Sequence, residues 1–129
     1  MPVKTLFLDV ETTGLDAKRH GIIQIAAIMD IDGVAVDRID LKIRPASSCA
    51  CDAKALEVSG ATIEEIKGYP SESDQFRAFC GWLEKFISKF DRNDKAFFSG
   101  YNSPFDVEFM RQFFERNGDK YFGSDRKSV

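Results

Sequence analysis

The stretch from Val3 to Leu15 constrains this chain more than any other. Val3 to Val10 is an apolar run of strand length, two carboxylates leave its end, and Thr12-Thr13-Gly14 stops it. Strand side chains alternate with period two, so Asp9 and Glu11 project from the same face of a sheet. Because Asp9 follows Leu6, Phe7 and Leu8 without a break, it is expected to be partly desolvated and close to Glu11. Two like charges held together need a cation, a proton or an arginine to compensate them. Magnesium or manganese, hard cations that take oxygen ligands, are the simplest compensators. The competing reading is that acids cap a strand end simply because the chain leaves the core for water there.

A chain of 129 residues suffices for one domain with a single core. Twelve phenylalanines against one tryptophan are expected to fill most of that core. The net charge of −3 argues against a broadly basic nucleic-acid clamp. It leaves room for a nucleic-acid enzyme, because an acidic site that loads cations can hold phosphates through the metal. No apolar run approaches membrane-spanning length and the first residues lack a signal-peptide pattern, so the expected location is cytoplasmic with no membrane partner. Cys49, Cys51 and Cys80 are an odd number without a secretory signal, and they read as free thiols rather than a disulfide or zinc framework. Lys18-Arg19-His20 is a small basic cluster beside the candidate site at the acidic strand end, and a solvated loop is the simpler of its two readings.

Gly21 to Met29 is a second apolar strand. Asp32-Gly33 signals a hairpin, and Val34 to Arg44 alternates as the returning strand, so three strands form an antiparallel meander. Short helices are expected at Lys54 to Val58 and after the Thr62-x-x-Glu65 capping box, closed by Gly68 and Pro70. Ser71-x-x-Asp74 opens a longer helix, on which Phe76, Phe79, Cys80, Leu83, Phe86, Ile87 and Phe90 keep helical spacing over four turns. Lys95 to Tyr101 then reads as a strand reached through a helical crossover, which suits a parallel strand laid beside the first. A last helix is expected with Ser103 as N-cap, Pro104 in its first turn, and Val107, Met110, Phe113 and Phe114 on its buried face. Asn117-Gly118 ends it, and fraying is expected after Phe122.

Asp106 carries two readings of equal weight. Ser103-x-x-Asp106 has the spacing of a capping box, so the acid could serve its own helix alone. Alternatively, a helix starting just past a strand parallel to the first delivers its acid to the crevice where Asp9 and Glu11 sit.

The residues from Leu8 to Leu15, followed by Ile22-Ile23-Gln24-Ile25-Ala26-Ala27, resemble the first motif of the DEDD exonucleases, the superfamily of bacterial polymerase proofreading subunits. Gly100 to Phe109, with its acid at Asp106, is similar to their second motif. The resemblance implies an α/β, ribonuclease H-like fold: a mixed sheet of the three-strand meander plus one parallel strand, flanked by helices. It implies 3′ to 5′ removal of nucleotides from single-stranded DNA or RNA with two divalent ions, magnesium or manganese, between carboxylates. By position Asp9 would bridge the ions, Glu11 would hold one and orient the attacking water, and Asp106 would bind the other. Thr12, Thr13, Gly14 and Leu15 would border the terminal nucleotide, with backbone N–H groups reaching its 3′ end. Asn102 and Phe105 would line the strand's path, Phe105 by stacking.

A third family motif, with a His or Tyr base and a fourth acid on a helix after one further strand, has no counterpart in the chain. Asp119 and Asp125 lack the required spacing, and His20 matches no catalytic position. Residues 1–129 are therefore expected to be a single exonuclease-like domain incomplete at its C-terminus, with three acids, no base, room for one bound ion rather than two, and weak or absent activity. Loss of a base alone costs about 10² to 10⁴ in rate. Two alternatives follow: a catalytically silent nucleic-acid or protein-binding module on the same scaffold, or a half-site completed by another chain. Without a last strand and helix, Lys95 to Tyr101 becomes an exposed edge and the Phe-rich helix faces lose a cover, which invites a homodimer or strand swap.

Overall fold

The opening run folds as β1 (Lys4–Thr12), a strand long enough to carry both acids before the turn. The computed structural model describes residues 2–88, 94, 96–100 and 103–119. β2 (Ile22–Ile31) and β3 (Val34–Lys42) complete the expected meander. Its hairpin turns at Asp32 and Gly33, whose φ angles of 53° and 88° are the left-handed pair that matches strand twist. β4 (Ala96–Gly100) lies parallel to β1, and the sheet order is β3-β2-β1-β4. The α/β mixed sheet expected from the sequence is the one observed.

Alternation divides the sheet into two unlike faces. Leu6, Leu8 and Val10 of β1, with Ile25, Ala27 and Met29 of β2, enter the main core. The helices α3 (Glu72–Leu83) and α4 (Ser103–Arg116) supply Phe79, Trp82, Leu83, Phe109, Met110, Phe113 and Phe114 to the same cluster. Phe76 meets Phe113 and Phe114 edge-on, with ring centroids 5.5 and 5.0 Å apart. The residues between those of the core face, Phe7, Asp9 and Glu11, are exposed. A smaller cluster of Ile23, Leu56 and Ile66 seats α1 (Ala53–Ser59) and α2 (Ile63–Lys67) near the start of β2.

Three expectations need correction. The aromatic helix ends at Leu83, short of the four turns its periodicity suggests. After a last turn of backbone bonds from Lys85, Phe86 and Ile87 to Trp82 and Leu83, the chain is held by outside side chains: the Lys4 ammonium donates to the Phe86 carbonyl at 2.6 Å, and the Ser88 N–H donates to the Asp94 carboxylate at 2.7 Å. Phe90 lies outside the described residues. The Phe-rich helix faces are also not left bare, since Phe79, Phe109, Phe113 and Phe114 are at most 1% exposed. The uncovered surface is instead the second face of the sheet, where Phe7 and Phe97 are each 44% exposed. Asp9 belongs to that face and is exposed rather than desolvated, because the alternation that buries Leu8 and Val10 turns it outward.

The remaining boundaries follow local chemistry. Thr62 and Glu65 form the reciprocal capping box of α2, while Ser71 caps α3 by accepting the Asp74 N–H. After α4, Gly118 takes φ 87°, which a glycine adopts without strain. A part-buried pair ties the two long helices: Arg116 donates to Glu72 through Nε at 2.9 Å and through its terminal nitrogen at 2.6 Å. β4 is an edge strand of the described sheet, as expected. Tyr101, Asn102 and everything from residue 120 onward, including the fraying expected after Phe122, lie outside the described residues.

Candidate active site

β1 delivers Asp9 and Glu11 to the open face opposite Ala26 and Gln24 of β2. Next to them runs a polar row: Gln24 donates to Asp40 at 2.8 Å and accepts from Lys42 at 2.9 Å. Asp9 borders a groove of about 450 Å³ whose walls, including Phe7, Ile28, Arg38, Asp40 and Ser99, come from the four strands alone. Two exposed carboxylates of this kind are the donor chemistry a hard divalent cation uses.

Asp106 sits in the first turn of α4 and is 3% exposed, with an interaction of its own. Among the described residues no three acidic, histidine or cysteine side chains come together as a metal-binding group. Asp9 and Glu11 share one exposed face, while Asp106 is buried in the first turn of α4.

Glu11 borders a second cavity of about 290 Å³ between the turn that follows β1 and the helix α1. Thr12, Gly14, Leu15 and Phe105 line it, so four residues expected at the terminal nucleotide share one pocket. Leu15 on one side and Val58 on the other are 83% and 81% exposed, an apolar pair left in water at the pocket mouth. Thr13 is different. It is fully buried, its N–H donates to the Gly21 carbonyl at 2.9 Å, and its hydroxyl donates to the Ala50 carbonyl at 2.6 Å while accepting the Gly21 N–H at 2.9 Å. With every group engaged, Thr13 anchors the turn instead of facing a ligand. Thr12 likewise spends its hydroxyl on the Gly14 carbonyl, at 2.7 Å. Asn102 lies outside the described residues.

The wall formed by Asp52, Lys54, Ala55 and Val58 was not identified as part of a site from the sequence. Its only local signal is the Asp52 cap on α1, whose carboxylate accepts the Lys54 N–H at 3.0 Å. What brings it to the pocket is long-range: the Asp52 N–H donates to the Thr13 carbonyl at 2.6 Å. His20 also departs from expectation, since it is 9% exposed while Lys18 and Arg19 stay in solvent. The cysteines are free, and burial pushes the Cys49 thiol above its ordinary value. Among the described residues no helix is long and apolar enough to cross a membrane.

Comparison with known proteins gives a consistent result. The model of the exonuclease family named for ribonuclease T matches residues 6–128. The chain is 32% identical over 110 residues to a PolC-type DNA polymerase III of Lacticaseibacillus paracasei, matching 85% of this chain and 7% of that protein. It is 29% identical over 119 residues to ribonuclease T of Photorhabdus laumondii, matching 88% of this chain and 54% of that one. Among solved structures, E. coli exonuclease I in complex with a dT13 oligonucleotide superposes with a TM-score of 0.76 at 24% identity, over 98% of this chain and 27% of the other. The chain thus spans between 7% and 54% of the length of these relatives.

Proposed function

We propose that this chain, which belongs to the exonuclease family whose model spans residues 6–128, is a metal-dependent 3′ to 5′ exonuclease module acting on single-stranded DNA or RNA ends. The observation that carries the proposal is the adjacency of two features. Asp9 and Glu11 stand exposed on one face at the carboxyl end of β1, and the next residues of the chain wall a pocket of about 290 Å³. An acid pair beside a pocket of that size suits a terminal nucleotide whose phosphate lies at the carboxylates.

Asp9 and Glu11 would hold a magnesium or manganese ion, and such an ion supplies Lewis-acid polarisation of a phosphodiester and a nucleophilic water at neutral pH. Asp106, placed in the first turn of α4 next to Phe105, keeps its role as a further acid of the site under this proposal. The chain's own contribution is to bind and orient. Leu15, Val58 and Ala55 offer apolar contact to a base, and Phe105 offers its ring for stacking. Thr12 and Thr13 fix the turn, so that the pocket wall and the acids move as one piece.

A second reading is favoured by a specific observation: no three-acid cluster forms among the described residues. On that reading the module keeps a 3′ end without turning it over, or works as a half-site completed by a second chain joined through the open sheet edge. One experiment separates the three. A 5′-labelled single-stranded oligonucleotide is incubated with manganese and wild type or Asp9→Ala over a wide dilution series. A stepwise ladder lost in Asp9→Ala supports the exonuclease. Retention of the oligonucleotide without cleavage supports the binding module. Activity per chain that rises with protein concentration supports the shared site.

A further inference from the structure

His20 is a buried imidazole that the proposed chemistry leaves without work. It lines neither of the two cavities that Asp9 and Glu11 border. Its ring instead lies against Gly14, so closely that a Cβ built on Gly14 would stand 2.3 Å from ring atoms Cγ and Cδ2 and 2.4 Å from Nε2. Gly14 is not among the positive-φ glycines. The reason for glycine here is therefore the ring and not the backbone conformation.

The rest of His20 is held from two further directions. Nδ1 lies 3.1 Å from the Asp16 nitrogen and 3.2 Å from the Asp16 carbonyl oxygen, and the His20 N–H donates to the same carbonyl at 2.8 Å. On the other side His20 forms an isolated bridge with Ala50. The Ala50 N–H donates to the Arg19 carbonyl at 2.7 Å, and its carbonyl takes the Thr13 hydroxyl. His20 thus joins three segments: its ring lies against Gly14 in the turn that follows β1 and against the bend at Asp16, while its backbone pairs with Ala50 in the segment that leads into α1.

We propose that His20 is a positioning residue: its imidazole, wedged beneath Gly14 and fastened to Asp16, sets the distance between the turn carrying Leu15 and the wall carrying Val58. This rests on the reading of that pocket as a seat for the terminal nucleotide. A buried ring that only filled space would stabilise the fold without governing the width of the pocket. A ring that sets the width governs affinity for the 3′ end, because a displaced wall loses its contacts with the base.

The test pairs binding of a 5′-fluorescein single-stranded oligonucleotide with amide hydrogen exchange at Gly14, Leu15 and Asp16. The proteins are wild type, His20→Ala, His20→Asn, Gly14→Ala and the double variant Gly14→Ala/His20→Ala. The expected results are faster exchange at those amides in His20→Ala and a dissociation constant raised about tenfold, the scale of one lost contact. His20→Asn, which keeps an acceptor for the Asp16 N–H, recovers part of both. Gly14→Ala alone weakens binding, whereas the double variant is no weaker than His20→Ala, because the clash disappears with the ring. Wild-type affinity in a folded His20→Ala, or full additivity in the double variant, overturns the proposal. If wild type itself does not bind, the nucleotide reading of the pocket fails and exchange alone decides: accelerated exchange supports the hold on the turn, and unchanged exchange overturns it.

Discussion

The two faces of one sheet behave as if they belonged to different proteins. On the closed face, Leu6 and Met29 are fully buried, Leu8 is 3% exposed, and all three pack in one cluster with the aromatic rings of α3 and α4. On the open face, one residue along the same strands, Phe7 is 44% exposed and Asp9 stands in solvent. The backbone is shared, so the difference lies entirely in what each face has to pack against. Stability is concentrated on the closed face, and the open face is left free to carry a function whose acids would be costly in a core.

The comparison breaks first, and hardest, on the closed face. Phe113→Ala is expected to cost about 3 to 5 kcal/mol, the range for deleting a buried aromatic, whereas Phe7→Ala stays within about 1 kcal/mol. Urea unfolding of both variants checks this, and equal costs would mean the open face is covered in solution. Glu72→Gln comes next. It removes the charge from the part-buried pair with Arg116 but keeps an acceptor oxygen, at a cost of about 1 to 2 kcal/mol, read from the same unfolding curves.

Metal sharpens the comparison from the other side. An ion that binds only the folded open face stabilises the protein by about 2.7 kcal/mol at a hundredfold excess over its dissociation constant. Manganese should therefore raise the melting temperature of wild type by several degrees and leave Asp9→Asn unmoved. Without metal, Asp9→Asn should melt slightly higher than wild type, because it removes one of two neighbouring like charges.

The smallest effect concerns pH. The Lys4 ammonium and the Ser88 N–H, both hydrogen-bonded to the Asp94 carboxylate, hold its pKa below the ordinary value of 3.8. A depressed carboxylate contributes stability that is fully present above its unfolded pKa and is lost as pH falls through the folded value. Asp94→Asn should therefore flatten the acid limb of the stability profile below about pH 4 while changing the curve near neutrality less. A parallel acid limb in the variant would assign that limb to other carboxylates.

Much of this was legible in the chain itself, and the misses have a common cause. Alternation in Leu6 to Glu11, the Asp-Gly turn and the stripe Val107, Met110, Phe113 and Phe114 are local signals, and the structure follows each. The end of α3 at Leu83 was not legible, because the groups that hold the chain just beyond it are Lys4 and Asp94, one of them 82 residues from its partner Phe86. The burial of His20 depends on Ala50 and Gly14 together, so its polar neighbours Lys18 and Arg19 suggested solvent. In the candidate site, the acid pair and most of one pocket wall were visible as a motif. The opposite wall, Ala55 and Val58, is brought to the pocket by long-range bonds such as that from Asp52 to Thr13.

Under the proposed function, the open face at the end of β1 loads a divalent cation. Titrating the isotopically labelled chain with manganese and recording amide signals tests it most directly, since a bound paramagnetic ion broadens its neighbours. Early, selective loss of the Asp9, Val10 and Glu11 signals and of Ala26 across the strand is expected, abolished in Asp9→Asn. Uniform broadening, or loss centred away from β1 and unchanged in Asp9→Asn, would contradict it.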